Sequence, residues 1–226
     1  MKVSIVVPSH NEEGIIAKVL GNISGYFPEH EIIAVSNGCT DRTPEIVGGL
    51  GLKNVKHINI KERVGKGAAV LEGFRKARGE IIGFIDADDA FRNADIKRII
   101  EEAGKADCVI GSKWKGRKFS QVDWPFARKV ASRAANLFIR VVFGLNFSDT
   151  QAGLKFLRRK VLESIDMDFV CRGFEFDVEL LYKIKKKGFE IREIGVPLKS
   201  KNTSTFSLFW MPVMGLNLLR LRLKLR

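Results

Sequence analysis

Apolar and polar positions fall into repeating blocks along this chain. Short runs rich in β-branched residues are each followed by a polar cluster, then by a stretch with apolar residues three and four apart. The runs Lys2–Val7, Glu31–Ser36, Asn54–Ile60 and Ile81–Ile85 predict strands, and the last, apolar throughout, predicts burial on both faces. Ile15, Ile16, Val19, Leu20 and Ile23 share one side of a predicted helix. A second helix is entered through Thr40, Asp41 or Thr43, with Pro44 in its first turn, after the turn pair Asn37-Gly38. A third runs from about Ala68 to Ala77, and a fourth starts near Asn93. This alternation predicts an α/β fold, with a mostly parallel central sheet, right-handed crossovers and flanking helices. Ligands of such sheets bind beyond the carboxyl ends of the strands. The polar clusters Pro8–Glu12, Asn37–Asp41 and Asp86–Asp89 therefore converge on one rim.

The second half is less regular. Cys108–Lys113 predicts a strand that ends in a basic residue, and Lys113, Lys115, Arg117 and Lys118 make a basic loop running to Pro125. Phe126–Leu145 predicts a long helix with Phe126, Val130, Ala134, Leu137, Phe138 and Val141 on its apolar face. On it Arg128 and Ser132 stand four apart and are surface neighbours, while Lys129, Arg133, Asn136 and Arg140 follow a polar stripe. Asp149–Gly153 is a polar turn. The helix Phe174–Lys187 carries acids early and lysines late, an order that the helix dipole accounts for without invoking function. Phe189–Ile194 predicts a last strand.

Composition narrows the partners. The 226 residues are 45% hydrophobic, enough for a full core, and carry a net charge of +13, which favours an anionic partner. No helix-turn-helix, zinc-finger or aromatic RNA-binding pattern is present, so nucleic acid is not expected. Three scattered cysteines and no leader-like start predict reduced thiols in the cytoplasm that serve as small buried apolar groups. No segment has the roughly 20 apolar residues a bilayer span needs. After Glu193 the chain has no acid, and basic residues flank Phe206, Leu208, Phe209 and Trp210. Two readings fit this tail: an interfacial segment on anionic lipid, or a helix docked on the protein's own core. Leu219–Arg226 alternates apolar and basic with period two, as a strand would, and its secondary structure stays open.

The sharpest chemistry lies after Ile85, where a buried strand stops in Asp86, Asp88 and Asp89. Buried unpaired charge is costly, so these carboxylates must reach water or a cation. Asp86 and Asp88 suit one hard divalent ion, completed by phosphate and water. A solvated acidic turn before the helix near Asn93 fits the triplet equally.

Taken together, IVVPSHNEE, SNGCTDRT, GKGAAVLEGF and FIDADDA resemble the inverting family-2 glycosyltransferases of GT-A fold. VIGSK, ARKVASRAANLFIR, SDTQAGLKFLRR and GFEFDVELL narrow the resemblance to dolichyl-phosphate mannose and glucose synthases. It runs from about Val3 to Pro197 and implies a catalytic domain over 1–205, which leaves the basic apolar stretch 206–226 as the expected membrane-associating segment. The implied reaction moves a hexose, mannose or glucose, from a nucleotide-diphosphate sugar to a polyprenyl (dolichyl) phosphate, with Mg²⁺ or Mn²⁺. The alternative is a hydroxyl acceptor on a polysaccharide or glycoprotein.

The resemblance also implies residue roles. Pro8, His10, Glu12, Val35, Asn37, Lys66, Asp86, Ala87, Asp88 and Lys113 would bind the nucleotide sugar. Asp86 and Asp88 would hold the metal. Arg128 and Ser132 would hold the acceptor phosphate, and Asp149, Thr150 and Gln151 would lie on the acceptor side without assigned roles. Asp88, Lys113 and Arg128 would be the catalytic set. His10, Asn37 and Ala90 depart from the Tyr, Asp and Gln usual in the family, which leaves the base open and predicts a water in place of one metal ligand. The implied location is cytoplasmic and peripheral, on the inner face of an anionic membrane, with room for a membrane-embedded partner.

Overall fold

A computed structural model describes residues 1–199 and 211–224. Seven strands form one sheet: β1 Val3–Ser9, β2 Glu31–Asn37, β3 Val55–Ile60, β4 Ile81–Ile85, β5 Cys108–Ser112, β6 Leu154–Arg158 and β7 Ile191–Gly195. Their spatial order is β3-β2-β1-β4-β6-β5-β7. All neighbours run parallel except β6, which lies antiparallel between β4 and β5. The order turns back between β1 and β4, the switch point beyond which such sheets bind ligands. Every residue of β4 is buried, as its unbroken apolar run requires.

Helices cover both faces. On one, α1 (Ile16–Tyr26), α2 (Thr43–Gly49) and α4 (Asn93–Ala103) bury Ile16, Leu20, Val47 and Ile99 against the sheet. On the other, α3 (Lys66–Lys76), α5 (Phe126–Phe143), α6 (Arg159–Ser164), α7 (Phe176–Lys186) and α8 (Met211–Lys224) contribute Phe74, Phe143, Val161, Leu180 and Leu221 to a second core. α5 stops at Phe143, just short of the expected Leu145, because Gly144 adopts a left-handed φ of 66°.

One local expectation changes, and the open reading of the tail is decided. In α5 the apolar row Phe126, Val130, Leu137 and Val141 faces solvent, while Ile139 and Phe143, four apart, take the core side. The period-two tail is helical through Lys224, and its alternation disguises three faces. Met214, Leu218 and Leu221 are buried, Leu216, Leu219 and Leu223 are exposed, and basic residues fall between the two rows. The tail is therefore docked, with Leu218 and Leu221 in the same core cluster as α3 and α7. Phe206, Leu208, Phe209 and Trp210 lie outside the described residues. No helix among the described residues is long and apolar enough to cross a membrane.

Candidate active site

The rim at the carboxyl ends of β1, β2 and β4 gathers the expected polar clusters. The His10 ring Nδ1 lies 2.8 Å from the Asn37 carbonyl oxygen, so the loop after β1 is fixed to the end of β2. The Asn37 side-chain oxygen accepts the Val64 N–H at 2.9 Å and holds the loop that leads into α3. In that loop Gly65 has φ 93°, and a Cβ there would lie 2.3 Å from the Arg172 carbonyl oxygen. Glycine thus lets the start of α3 approach the segment before α7.

The acidic triplet divides its work. Asp89 pairs with Lys18 at 3.3 Å and Lys199 at 2.5 Å, which turns it away from the site. The Asp88 carboxylate accepts the Ala90 N–H at 3.2 Å. Asp86 donates its N–H to the Gly153 carbonyl at 2.9 Å and pairs with the Lys66 ammonium at 2.7 Å. Lys66 also lies 3.6 Å from Asp177, which is bonded at 2.5 Å to Lys155, a fully buried lysine on β6. Lys155, Asp177, Lys66 and Asp86 thus form a chain of alternating charge from the core to the rim. An unpaired charge at any of these depths would be costly, so the four side chains hold one another in place.

Electrostatics single out two carboxylates at the rim. Burial, with Asp86 adding repulsion, pushes Asp88 up to about 6. Burial, with Asp88, Asp41 and Asp86 nearby, pushes Glu12 up to about 7. Burial disfavours the Lys66 ammonium, yet Asp86 and Asp177 outweigh it and raise its pKa. Carboxylates that burial and mutual repulsion make costly to ionise suit an incoming cation. Among the described residues no three His, Cys, Asp or Glu side chains are grouped to hold a metal. Asp86 and Asp88 are a pair of carboxylates of the kind that holds a hard divalent ion together with phosphate and water, so the residues fit Mg²⁺ or Mn²⁺.

Two cavities open here. The larger, about 680 Å³, is lined by Pro8, His10, Glu12, Asn37, Lys66 and the run Asp86–Asp88, Ala87 included. The smaller, about 150 Å³, is lined by Lys113, Arg128, Ser132, Asp149, Thr150 and Gln151. Lys66, Asp86, Phe174 and Met214 border both. Lys113 sits in the smaller one, bonded at 2.6 Å to Asp149. The Trp124 ring lies under the Lys113 ammonium at 4.7 Å and the Arg128 guanidinium at 4.2 Å. Ser132 accepts the Trp114 indole N–H at 3.3 Å. The expected site residue Val35 is not brought to either cavity: its side chain is fully buried in the core.

A family model described as glycosyl transferase family 2 matches residues 4–166. The chain belongs to that family. Among curated relatives, undecaprenyl-phosphate mannosyltransferase of Micrococcus luteus is 30% identical over 87% of this chain and 83% of its own length. Polyprenol monophosphomannose synthase of Mycolicibacterium smegmatis is 29% identical over 85% of this chain and 75% of its own. Glycosyltransferase AglD of Haloferax volcanii is 28% identical over 92% of this chain, which spans 35% of AglD. The fold matches glucosyl-3-phosphoglycerate synthase of Mycobacterium tuberculosis in complex with uridine-diphosphate, at TM-score 0.72 and 17% identity over 99% of this chain and 79% of that one. A complex of that synthase with Mn²⁺, uridine-diphosphate and glucosyl-3-phosphoglycerate matches at TM-score 0.69 and 20% identity, over 97% and 79%. These neighbours share the GT-A fold with this glycosyltransferase.

Sequence reasoning missed three contributors to this glycosyltransferase's site. Asp177 was assigned to the helix dipole, yet it is buried and paired. The signal was its place in FDVELL, where acids alternate with residues that must be core. Glu179 in the same run is also buried and accepts the Val170 and Cys171 N–H groups at 3.1 and 2.8 Å. Gly153 is the second: a Cβ there would lie 1.8 Å from the Asp86 carboxylate. The third is α8, whose Val213, Asn217, Arg220 and Lys224 line the larger cavity.

Proposed function

We propose that this glycosyltransferase moves a hexose from a nucleotide-diphosphate sugar to a polyprenyl phosphate, with inversion at the anomeric carbon and with Mg²⁺ or Mn²⁺ as cofactor. The observation that carries the reading is the charge of the smaller cavity. Its carboxylates are Asp86, Asp149 and Asp177, and each is ion-paired with Lys66, Lys113 or Lys155. A hydroxyl acceptor needs a base within hydrogen-bond reach, and carboxylates held by ammonium groups are poor bases. A phosphate monoester is already ionised at neutral pH, so the cavity need only position it. Lys113, Arg128 and the Ser132 hydroxyl are the groups for that task. The names of the Micrococcus and Mycolicibacterium relatives, which specify undecaprenyl phosphate and polyprenol monophosphomannose, support a lipid-phosphate acceptor.

On the donor side, His10 and Asn37 border the space for the nucleoside, and Lys66 with Asp86–Asp88 borders the space for its diphosphate. Asp86 and Asp88 would hold a divalent ion, which when bound would supply positive charge for the leaving nucleotide diphosphate. Lys66 adds a fixed ammonium, kept charged by Asp86 and Asp177. The Lys155–Asp177 pair anchors Lys66, which limits reorganisation as charge moves onto the leaving group. Arg128, stacked on Trp124, holds the nucleophile across from the leaving group, an arrangement that inverts the sugar.

The protein meets the cytoplasmic face of the membrane through its exposed apolar rows: Phe126, Leu137 and Val141 on α5, and Leu216, Leu219 and Leu223 on α8. Such rows, with the exposed Arg140 beside the α5 row, suit anionic lipid. Binding to anionic vesicles should be lost in a Leu137→Asp/Val141→Asp variant whose thermal melt is unchanged. Retained vesicle binding would exclude α5 from the contact.

The reaction is tested by incubating the protein with Mn²⁺, a panel of radiolabelled nucleotide sugars and a short polyprenyl phosphate. Label should enter the organic phase, and Asp88→Ala should abolish it. Undiminished transfer by Asp88→Ala without added metal would contradict the metal role.

A further inference from the structure

The basic C-terminal helix has a second face that the membrane reading does not use. Successive turns of α8 present three stripes. Met214, Leu218 and Leu221 enter the core, Leu216, Leu219 and Leu223 face out, and Val213, Asn217, Arg220 and Lys224 line the larger cavity. The last four are spaced as one helix face requires.

The helix is fixed on both flanks. The Asn217 side-chain amide donates to the Glu175 carboxylate at 2.8 Å, beside the start of α7. The Arg222 Nε–H donates to the Val142 carbonyl at 3.0 Å, on α5. Rotation about its axis would break both bonds and withdraw two leucines from the core. The direction of Arg220 and Lys224 is therefore set by packing.

Both cations are exposed, and neither has an ion-pair partner among the described residues. They complement the C-terminal end of the helix dipole, but any cation in the last turn does so, and Arg222 already does on another face. The dipole does not explain why two cations share the wall of a cavity that Lys66, Arg63, Arg172, Asp86 and Asp88 also line. Of the five cationic side chains around this cavity only Lys66 is ion-paired with a carboxylate among the described residues, so the other four can meet an anion there.

We propose that α8 is a wall of the donor site, and that Arg220 and Lys224 bind the diphosphate of the nucleotide sugar. This rests on the donor reading above and extends it: the tail completes the pocket as well as meeting lipid. Removing the tail should therefore weaken nucleotide binding. Met214, which borders both cavities, lets the same helix divide the donor phosphates from the acceptor phosphate.

The test is calorimetric titration of the full chain with UDP, GDP and the matching nucleosides, in Mn²⁺ buffer. The wild type should bind one of the two diphosphates. Arg220→Gln/Lys224→Gln should bind it at least tenfold more weakly, with nucleoside affinity within twofold and an unchanged melting temperature. Arg220→Lys/Lys224→Arg should restore binding. Unchanged diphosphate affinity in the glutamine variant would overturn the proposal while leaving the donor reading intact. A wild type that binds neither diphosphate would sink both. An intact diphosphate affinity with a raised KM for polyprenyl phosphate would assign the two cations to the acceptor and also overturn the proposal.

Discussion

Replacing Gly153 with alanine isolates the placement of Asp86 from every other feature of the rim. Gly153 has no left-handed φ, so alanine adds no backbone strain and only its methyl group matters. That methyl would lie 1.8 Å from the Asp86 Oδ2 and 2.2 Å from its Cγ. Ordinary contact begins near about 3.4 Å, so the carboxylate must retreat by roughly 1.5 Å. It then leaves the Lys66 ammonium, now at 2.7 Å, with the loss of a charge-assisted bond contributing about 1.5–3 kcal/mol. A misplacement of about 1 Å at a reacting centre lowers rate by about 100-fold. The prediction is a fall of about 100-fold in kcat/KM and a weaker Mn²⁺ affinity, measured by steady-state transfer and by metal titration. Gly21→Ala, on the exposed side of α1 with nothing within 4 Å of the added Cβ, is the control. It should leave activity unchanged and add up to about 1 kcal/mol of stability. Gly153→Ala with activity and Mn²⁺ affinity within twofold of wild type would refute the placement of Asp86.

Two further outcomes follow from the charges. Lys155→Met leaves Asp177 buried beside a Lys66 that must also serve Asp86, and should cost about 3–5 kcal/mol in urea unfolding; Lys155→Met/Asp177→Leu should recover most of it. Glu12 is held at about 7 against an ordinary 4.5, so its stabilising contribution is full below pH 4.5 and is lost as pH rises through 7. Without metal the protein should therefore melt lower at pH 8.5 than at pH 6.5, and Glu12→Gln should flatten that difference.

The α/β order and the rim were legible because each depends on local pattern. β4 could be placed from its apolar run, and the triplet after it from the cost of burying charge. The long helix α5 was legible as a helix but not in its orientation. Its apolar residues occupy more than one side, and periodicity does not say which side meets the core. The tail failed for a related reason. Leu219–Lys224 alternates like a strand because two apolar rows of one helix, one buried and one exposed, flank its basic row. Asp177 was hidden because its helix also obeys the dipole rule, and a charge that satisfies one rule gives no local sign of satisfying another. Gly153 was quoted within a motif, yet only the pairing of β6 with β4 brings it against Asp86. Lys113 borders the smaller cavity and is bonded to Asp149, a contact across 36 positions that spacing alone does not show.

The most direct test of the account compares acceptors that differ only in the nucleophile. With a labelled nucleotide sugar that the enzyme accepts, and with Mn²⁺, polyprenyl phosphate and the free polyprenol of equal length are supplied in the same detergent. The paired carboxylates of the acceptor cavity predict label on the phosphate and none on the alcohol, with Arg128→Ala lowering the transfer by raising the KM for the lipid. Equal labelling of the alcohol would mean that a base acts in this site, and that the acceptor is a hydroxyl.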